Sequence, residues 1–214
     1  MSTFNEIDIE CEECGEEFKG IVWTAVHAQQ DPELKDLLLG GELNILFCPK
    51  CSHVAYQDHF VLYQDPKAEL IAYIYPPTQE QDAEFLQKTM RVNFAEAQEI
   101  YPPKDRKDYD PILVFGLDAF VKMMDREELR AEQSQIAEAV CVEHKIPFVK
   151  LRASRARALR IMRVIPSAKK TESPTRADVL AGLDQLLSKN AVLDFYAGLR
   201  NAIQEDPQWH LAAA

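Results

Sequence analysis

Cys11-Glu12-Glu13-Cys14-Gly15 and Cys48-Pro49-Lys50-Cys51-Ser52, with 33 residues between Cys14 and Cys48, are the two short segments on which the reading of this chain turns. Two residues between paired cysteines let a tight turn aim both sulfurs at one cation, and four thiolates complete the tetrahedron that structural zinc prefers. Gly15 stands where such a turn calls for φ > 0, and Pro49 pre-sets φ inside the second pair. The spacing therefore predicts one Zn2+ held by Cys11, Cys14, Cys48 and Cys51. A site with sulfur in all four positions leaves no place for water, so it builds fold and does not catalyse. An iron centre on the same four ligands, or redox thiols and disulfides, are the competing readings. Local charge argues against a redox pair: carboxylates at Glu10, Glu12, Glu13, Glu16 and Glu17 raise the pKa of nearby thiols, yet attract a divalent cation.

A chain of 214 residues, 47% of them hydrophobic, can bury one large core or two small ones. No apolar run approaches the ~18 residues of a membrane span, and the start lacks the basic-then-apolar order of a secretory signal. The expectation is a soluble cytoplasmic protein with reduced thiols and no membrane contact. Cys141, outside both pairs, reads as a small buried hydrophobe on a helix. The net charge of −11 lies in residues 1–80, where 15 acids face 4 bases; the remainder is neutral. Such a front repels phosphate and makes a poor nucleic-acid surface.

Alternation predicts a strand over 5–10 and a second over 18–26, with Phe18, Gly20, Val22, Thr24 and Val26 on one face. Asp31-Pro32-Glu33 reads as a helix start with Asp31 as N-cap, Leu34, Leu37 and Leu38 as the apolar face, and Gly40-Gly41 as the end. Strand character resumes at Leu43, Ile45 and Phe47. Residues 54–63 and 69–75 read as two antiparallel strands joined through Gln64-Asp65-Pro66-Lys67, and Pro76-Pro77 closes the unit.

With these features in place, the front of the chain resembles the CpXC family. The resemblance rests on the two cysteine pairs, the second with proline inside it, on Asp31-Pro32-Glu33-Leu34-Lys35 with Gly41-Glu42-Leu43-Asn44, and on Leu62-Tyr63-Gln64-Asp65-Pro66. It spans roughly residues 5–75. Glu12 stands where the family often has proline, and Ser52 where glycine usually follows the second pair. The resemblance implies a bacterial metal-binding domain without an assigned activity. The organisation expected is α+β: an N-terminal β-rich, zinc-ribbon-like domain with an inserted helix over 1–77, then a mainly helical α/β region over 78–214.

In that second region a helix is predicted from Thr78 to Glu99, with Phe85, Leu86, Thr89, Val92 and Asn93 near one face. A strand follows at 112–115, then a long helical region to His144 broken near Asp125, with Phe120, Met124, Leu129, Ile136 and Val140 as a partial stripe. Strands at 148–151 and 162–165 flank a helix over 154–161, and the three strands suggest a small α/β layer. Helices near 175–188 and 191–204 carry apolar faces through Val179, Leu183 and Leu186, and through Leu193, Tyr196 and Leu199. They are expected to pack back on the layer, with a dimer face as the alternative, and the tail from Asp206 is expected to fray.

Between Lys145 and Lys170 there are nine bases and no acid. On a continuous helix Arg152, Arg155, Arg160 and Arg163 would form a cationic stripe, read first as a solvated face or an internal partner for the acidic front, and otherwise as a site for an anionic partner, either an acidic protein or nucleic acid. No stacking aromatics interrupt the arginine run, which weakens the nucleic-acid version. Phosphate-binding glycine loops, a Gly-x-Ser-x-Gly elbow and His-Glu-x-x-His are all absent from the sequence. His53 and His59 read as surface or supporting residues. No catalytic or cofactor-binding residue emerges. The function expected is a non-catalytic module that binds another protein. Nucleic-acid binding through the basic segment is the alternative, and an enzyme with an unidentified site a further one.

Overall fold

The computed structural model describes residues 1–211 and has an α+β fold. The chain divides into two compact units, Met1–Met124 and Asp125–Ala214.

The first unit begins with β1 (Thr3–Glu10) and β2 (Glu17–His27), an antiparallel hairpin whose turn contains the first cysteine pair. Then come α1 (Pro32–Leu39), β3 (Ile45–Phe47), β4 (Val54–Tyr56), β5 (Val61–Asp65), β6 (Leu70–Tyr75), α2 (Ala83–Glu99), β7 (Ile112–Phe115) and α3 (Leu117–Glu143), which runs on past Met124. Five strands form one sheet in the order β1-β2-β5-β6-β7, with β2·β5 and β6·β7 parallel. Parallel neighbours need long crossovers. The first crossover carries α1 and a separate β3–β4 ribbon, and the second carries α2. One sheet face buries Val26, Val61, Tyr63, Leu70, Ala72 and Ile74 against Leu38, Leu43, Leu117 and Phe120. The Tyr63 and Phe120 rings lie 4.9 Å apart at its centre.

Several expectations change. The predicted strand over 54–63 is two strands, because residues 54–56 pair with β3 while residues 61–65 leave that ribbon for the main sheet. The first unit runs on past Pro77, since β7 adds to β6 and Phe120 enters the same core. The three-strand layer expected from 112–115, 148–151 and 162–165 does not form, for β7 belongs to this sheet. Asp31 does not cap α1 through its side chain; its carboxylate accepts the Ser2 backbone N–H at 3.1 Å instead. A 3-10 turn at Pro77–Asp82 delays α2 to Ala83, and Met90 is its buried residue while Phe85 and Val92 face solvent.

The second unit holds the rest of α3, then β8 (Phe148–Lys150), α4 (Ala153–Leu159), β9 (Val164–Pro166), α5 (Arg176–Lys189) and α6 (Asp194–Glu205). Strands β8 and β9 make a two-stranded antiparallel ribbon of their own. No break interrupts α3 near Asp125, although the division between the units falls there. Its buried positions in this unit are Ser134, Ala137 and Cys141, while Leu129 and Ile136 are exposed. Cys141 is fully buried, as expected, and burial pushes its thiol up to about 11. Helix α5 opens with a capping box between Thr175 and Asp178. Val179, Leu183, Leu186, Leu193, Tyr196 and Leu199 all enter one core, so the last two helices do pack back. The tail from Asp206 is not frayed through Leu211: Leu211 is buried and Trp209 packs on this core. Residues 212–214 lie outside the described residues.

Gly182 sets the approach of α5 to β9. A Cβ there would lie 2.5 Å from the Pro166 carbonyl carbon and the Ser167 Cα, which are backbone atoms that cannot swing aside. Gly182→Ala should therefore destabilise this unit by about 1–3 kcal/mol despite the better helix propensity of alanine. A urea melt of the variant reads this directly.

Candidate metal centre

Both cysteine pairs are built the same way. In each, a strand enters the first cysteine, the chain turns over two residues, and the paired strand leaves just past the second cysteine. At the first turn Gly15 N–H donates to the Cys11 carbonyl at 2.8 Å and Cys11 N–H to Glu16 at 2.9 Å. At the second, Ser52 N–H donates to the Cys48 carbonyl at 2.9 Å and Cys48 N–H to His53 at 2.9 Å. The residue closing each turn is left-handed, Gly15 at φ 67° and Ser52 at φ 58°. The expected need for positive φ after the first pair is met, and the second knuckle repeats it without a glycine.

The two turns meet. Cys11 Sγ lies 3.6 Å from Cys51 Sγ, and Cys14 Sγ 3.6 Å from Cys48 Sγ. All four sulfurs fall within 4.8 Å of one another. A zinc ion with Zn–S bonds of about 2.3 Å needs tetrahedral S···S edges of about 3.8 Å, so the cluster fits such an ion. A disulfide needs about 2.05 Å, and all five cysteines are free. Among the described residues these four cysteines are the group able to hold a metal ion, and neither His53 nor His59 joins it.

The thiols differ in their surroundings. Burial opposes ionisation of Cys48, but N–H groups of Cys51 and Lys50 together with hydrogen bonds from the Cys11 and Cys51 thiols outweigh it and hold the thiol down to about 6. At Cys51 the His53 N–H favours the thiolate, yet burial and hydrogen bonds with Cys14, Cys11 and Cys48 win and push it up to about 12. The protein's own dipoles support the Cys48 thiolate, and four thiolates together would need a bound positive charge. Across the two turns, Lys50 Nζ pairs with Glu16 at 3.0 Å.

Asn44, whose role the sequence did not reveal, ties the second hairpin to the first. Its side-chain Oδ1 accepts the Trp23 N–H at 2.7 Å and its Nδ2 donates to the Trp23 carbonyl at 3.1 Å, as a neighbouring strand would. Its own carbonyl accepts the Gln57 N–H at 3.0 Å. The residue is buried and left-handed at φ 64°, a conformation asparagine tolerates better than most. The available signal was its place at the end of Gly41-Glu42-Leu43-Asn44, one of the segments that carry the family resemblance.

The basic segment is arranged differently from the stripe expected. Helix α4 covers only Ala153–Leu159, so Arg152 is its N-cap, Arg160 its left-handed C-cap at φ 55°, and Arg163 lies beyond it. The four arginines therefore do not share a helical face. Arg155 Nε is buried and makes no hydrogen bond, and Arg163 Nε donates to the Leu151 carbonyl at 3.4 Å. Nearby charge is spent internally, with Arg157 on Glu127 at 3.1 Å, Lys150 on Glu138 at 2.8 Å and Lys169 on Asp178 at 3.0 Å.

Two β-hairpins whose turns present four sulfurs to one point define an α+β protein with a four-cysteine cluster that could hold a metal ion. The family model described as CpXC protein matches residues 9–121, more than half of the chain, and the chain belongs to that family. The match takes in α2, β7 and the start of α3, close to the full extent of the first unit. No curated protein and no solved structure matches the chain.

Ser52 supplies a test of the second turn. A non-glycine residue in the left-handed region costs roughly 1 kcal/mol, so Ser52→Gly is expected to raise the stability of the first unit by up to about 1 kcal/mol and to leave metal content unchanged. Thermal melts with matched metal analysis check both parts.

Proposed function

We propose that this chain is a zinc protein whose Cys11, Cys14, Cys48 and Cys51 hold one structural Zn2+, and that it serves as a non-catalytic protein-interaction module. The observation that carries this is the closed set of four sulfurs, contributed by two turns of identical build. A bound ion would have every position filled by the protein and none open for water or substrate. Zinc is chosen over iron because a closed four-sulfur site that only holds the fold needs no redox change. Among the described residues no helix is long and apolar enough to cross a membrane. The proposal places the chain in the cytoplasm, where five free thiols stay reduced.

Metal analysis of the protein purified from cells grown with zinc and iron both present tests the reading. One zinc per chain and a colourless protein are expected. A coloured protein with iron, or a chain without metal and with oxidised cysteines, overturns it. Co-purification from the native cell tests the interaction role, which predicts a stoichiometric protein partner.

A further inference from the structure

The β3–β4 ribbon presents two faces with opposite surroundings. Opposed residues of an antiparallel pair point the same way, so Leu46 and Ala55 share one face, while Ile45, Phe47, Val54 and Tyr56 share the other. Leu46 is turned inward over Gly20 of β2, in the space a Cβ there would fill. The other face meets solvent, with Phe47 65%, Val54 53% and Tyr56 46% exposed. Phe47 and Val54 are direct partners, and Tyr56 lies two residues on, which makes a contiguous patch on a ribbon three residues long. Scattered surface hydrophobes need no explanation, but a contiguous rigid patch does. The ribbon is held at both ends, by the second knuckle and by the Asn44 bonds to Trp23.

Two carboxylates lie near it: burial, and then the charges of Asp58 and Asp118, push the Tyr56 phenol up. Residues 1–80 carry 15 acids and 4 lysines, and three of those lysines are already engaged, Lys19 with Glu6, Lys35 with Asp65 and Lys50 with Glu16. A second copy docking by the same face would set Asp58 and Asp118 against their equals, which like-charge repulsion disfavours.

We propose that the Phe47–Val54–Tyr56 face docks a basic amphipathic segment of a partner protein, its apolar side chains over the ribbon and its Lys or Arg residues toward Asp58 and Asp118. This rests on the interaction-module reading and names the partner's chemistry.

The test uses the full chain, with zinc measured on every sample, and a fluorescein-labelled Leu/Lys amphipathic peptide beside its Leu/Glu counterpart, read by anisotropy. The Leu/Lys peptide should bind and the Leu/Glu peptide should not. Phe47→Ser with Val54→Ser should weaken binding about tenfold. Asp58→Lys, which removes no apolar contact, should weaken it several-fold and flatten its salt dependence; it carries the test alone if the double variant does not fold. Equal affinity in wild type and variants, no binding of the Leu/Lys peptide, or a wild-type dimer that the double variant loses would each overturn the proposal. Loss of peptide binding by a chain that keeps its zinc concerns this face alone, whereas wild-type protein without zinc removes the reading beneath it.

Discussion

Cys48→Ser is expected to strip the metal and to unfold both knuckles, with the β3–β4 ribbon released and the first unit melting at a far lower temperature. Cys48 is buried at 3% exposure, and its sulfur is the one that backbone N–H groups and neighbouring thiols hold as a thiolate near neutral pH. Structural zinc contributes about 10–16 kcal/mol of apparent binding free energy in small zinc domains, and that energy is linked to folding. A whole domain is stable by only about 5–15 kcal/mol, so losing even part of the metal term is decisive. The loss should be uneven. Strands β5 and β6 lie in the sheet core around Tyr63 and Phe120, which is built from side chains, whereas the ribbon has one inward leucine and a turn that carries two of the four clustered cysteines. Hydrogen exchange on the variant should show fast exchange at Cys11, Gly15, Cys48 and Ser52, with β5–β6 and the second unit still protected. A variant with unchanged melting temperature and unchanged exchange at these amides would show that the sulfurs hold nothing together.

Asn44→Ala carries the next largest expected effect, a loss of about 3–4 kcal/mol from the first unit. Two buried hydrogen bonds disappear, and the Trp23 N–H and carbonyl lose their partners in a place alanine cannot reach. Each such loss costs about 1–3 kcal/mol. The left-handed backbone at φ 64° adds roughly 1 kcal/mol against alanine. Asn44→Asp keeps an acceptor for the Trp23 N–H but offers no donor to its carbonyl, so it should fall between wild type and alanine. Urea unfolding of the three proteins with metal bound checks the order. Equal midpoints would mean that the Asn44 amide does not couple the hairpins.

The four-cysteine cluster was legible because its spacing is written locally. Four cysteines at Cys-x-x-Cys spacing, Gly15 after the first pair and strand alternation on either side all act within a few residues. What the sequence concealed depended on partners far along the chain. Whether residues 54–63 are one strand or two is decided by β2 and β3, which claim different ends of the segment. The fate of Ile112–Phe115 is decided by β6, which takes it into the first sheet. Hydrophobic pattern held at Phe120 but misled in the part of α3 past Met124, where the buried positions Ser134, Ala137 and Cys141 are small and two larger residues, Leu129 and Ile136, face solvent. The arginine stripe failed for a backbone reason: Arg160 is left-handed, so the helix ends before the residues that would have completed the face.

Zinc-edge X-ray absorption on the purified protein addresses the central claim most directly. The account predicts a single shell of four sulfurs at about 2.3 Å, with no nitrogen or oxygen ligand. A shell with fewer sulfurs and added light atoms, or a protein that holds no metal while its cysteines remain intact and reduced, would contradict it.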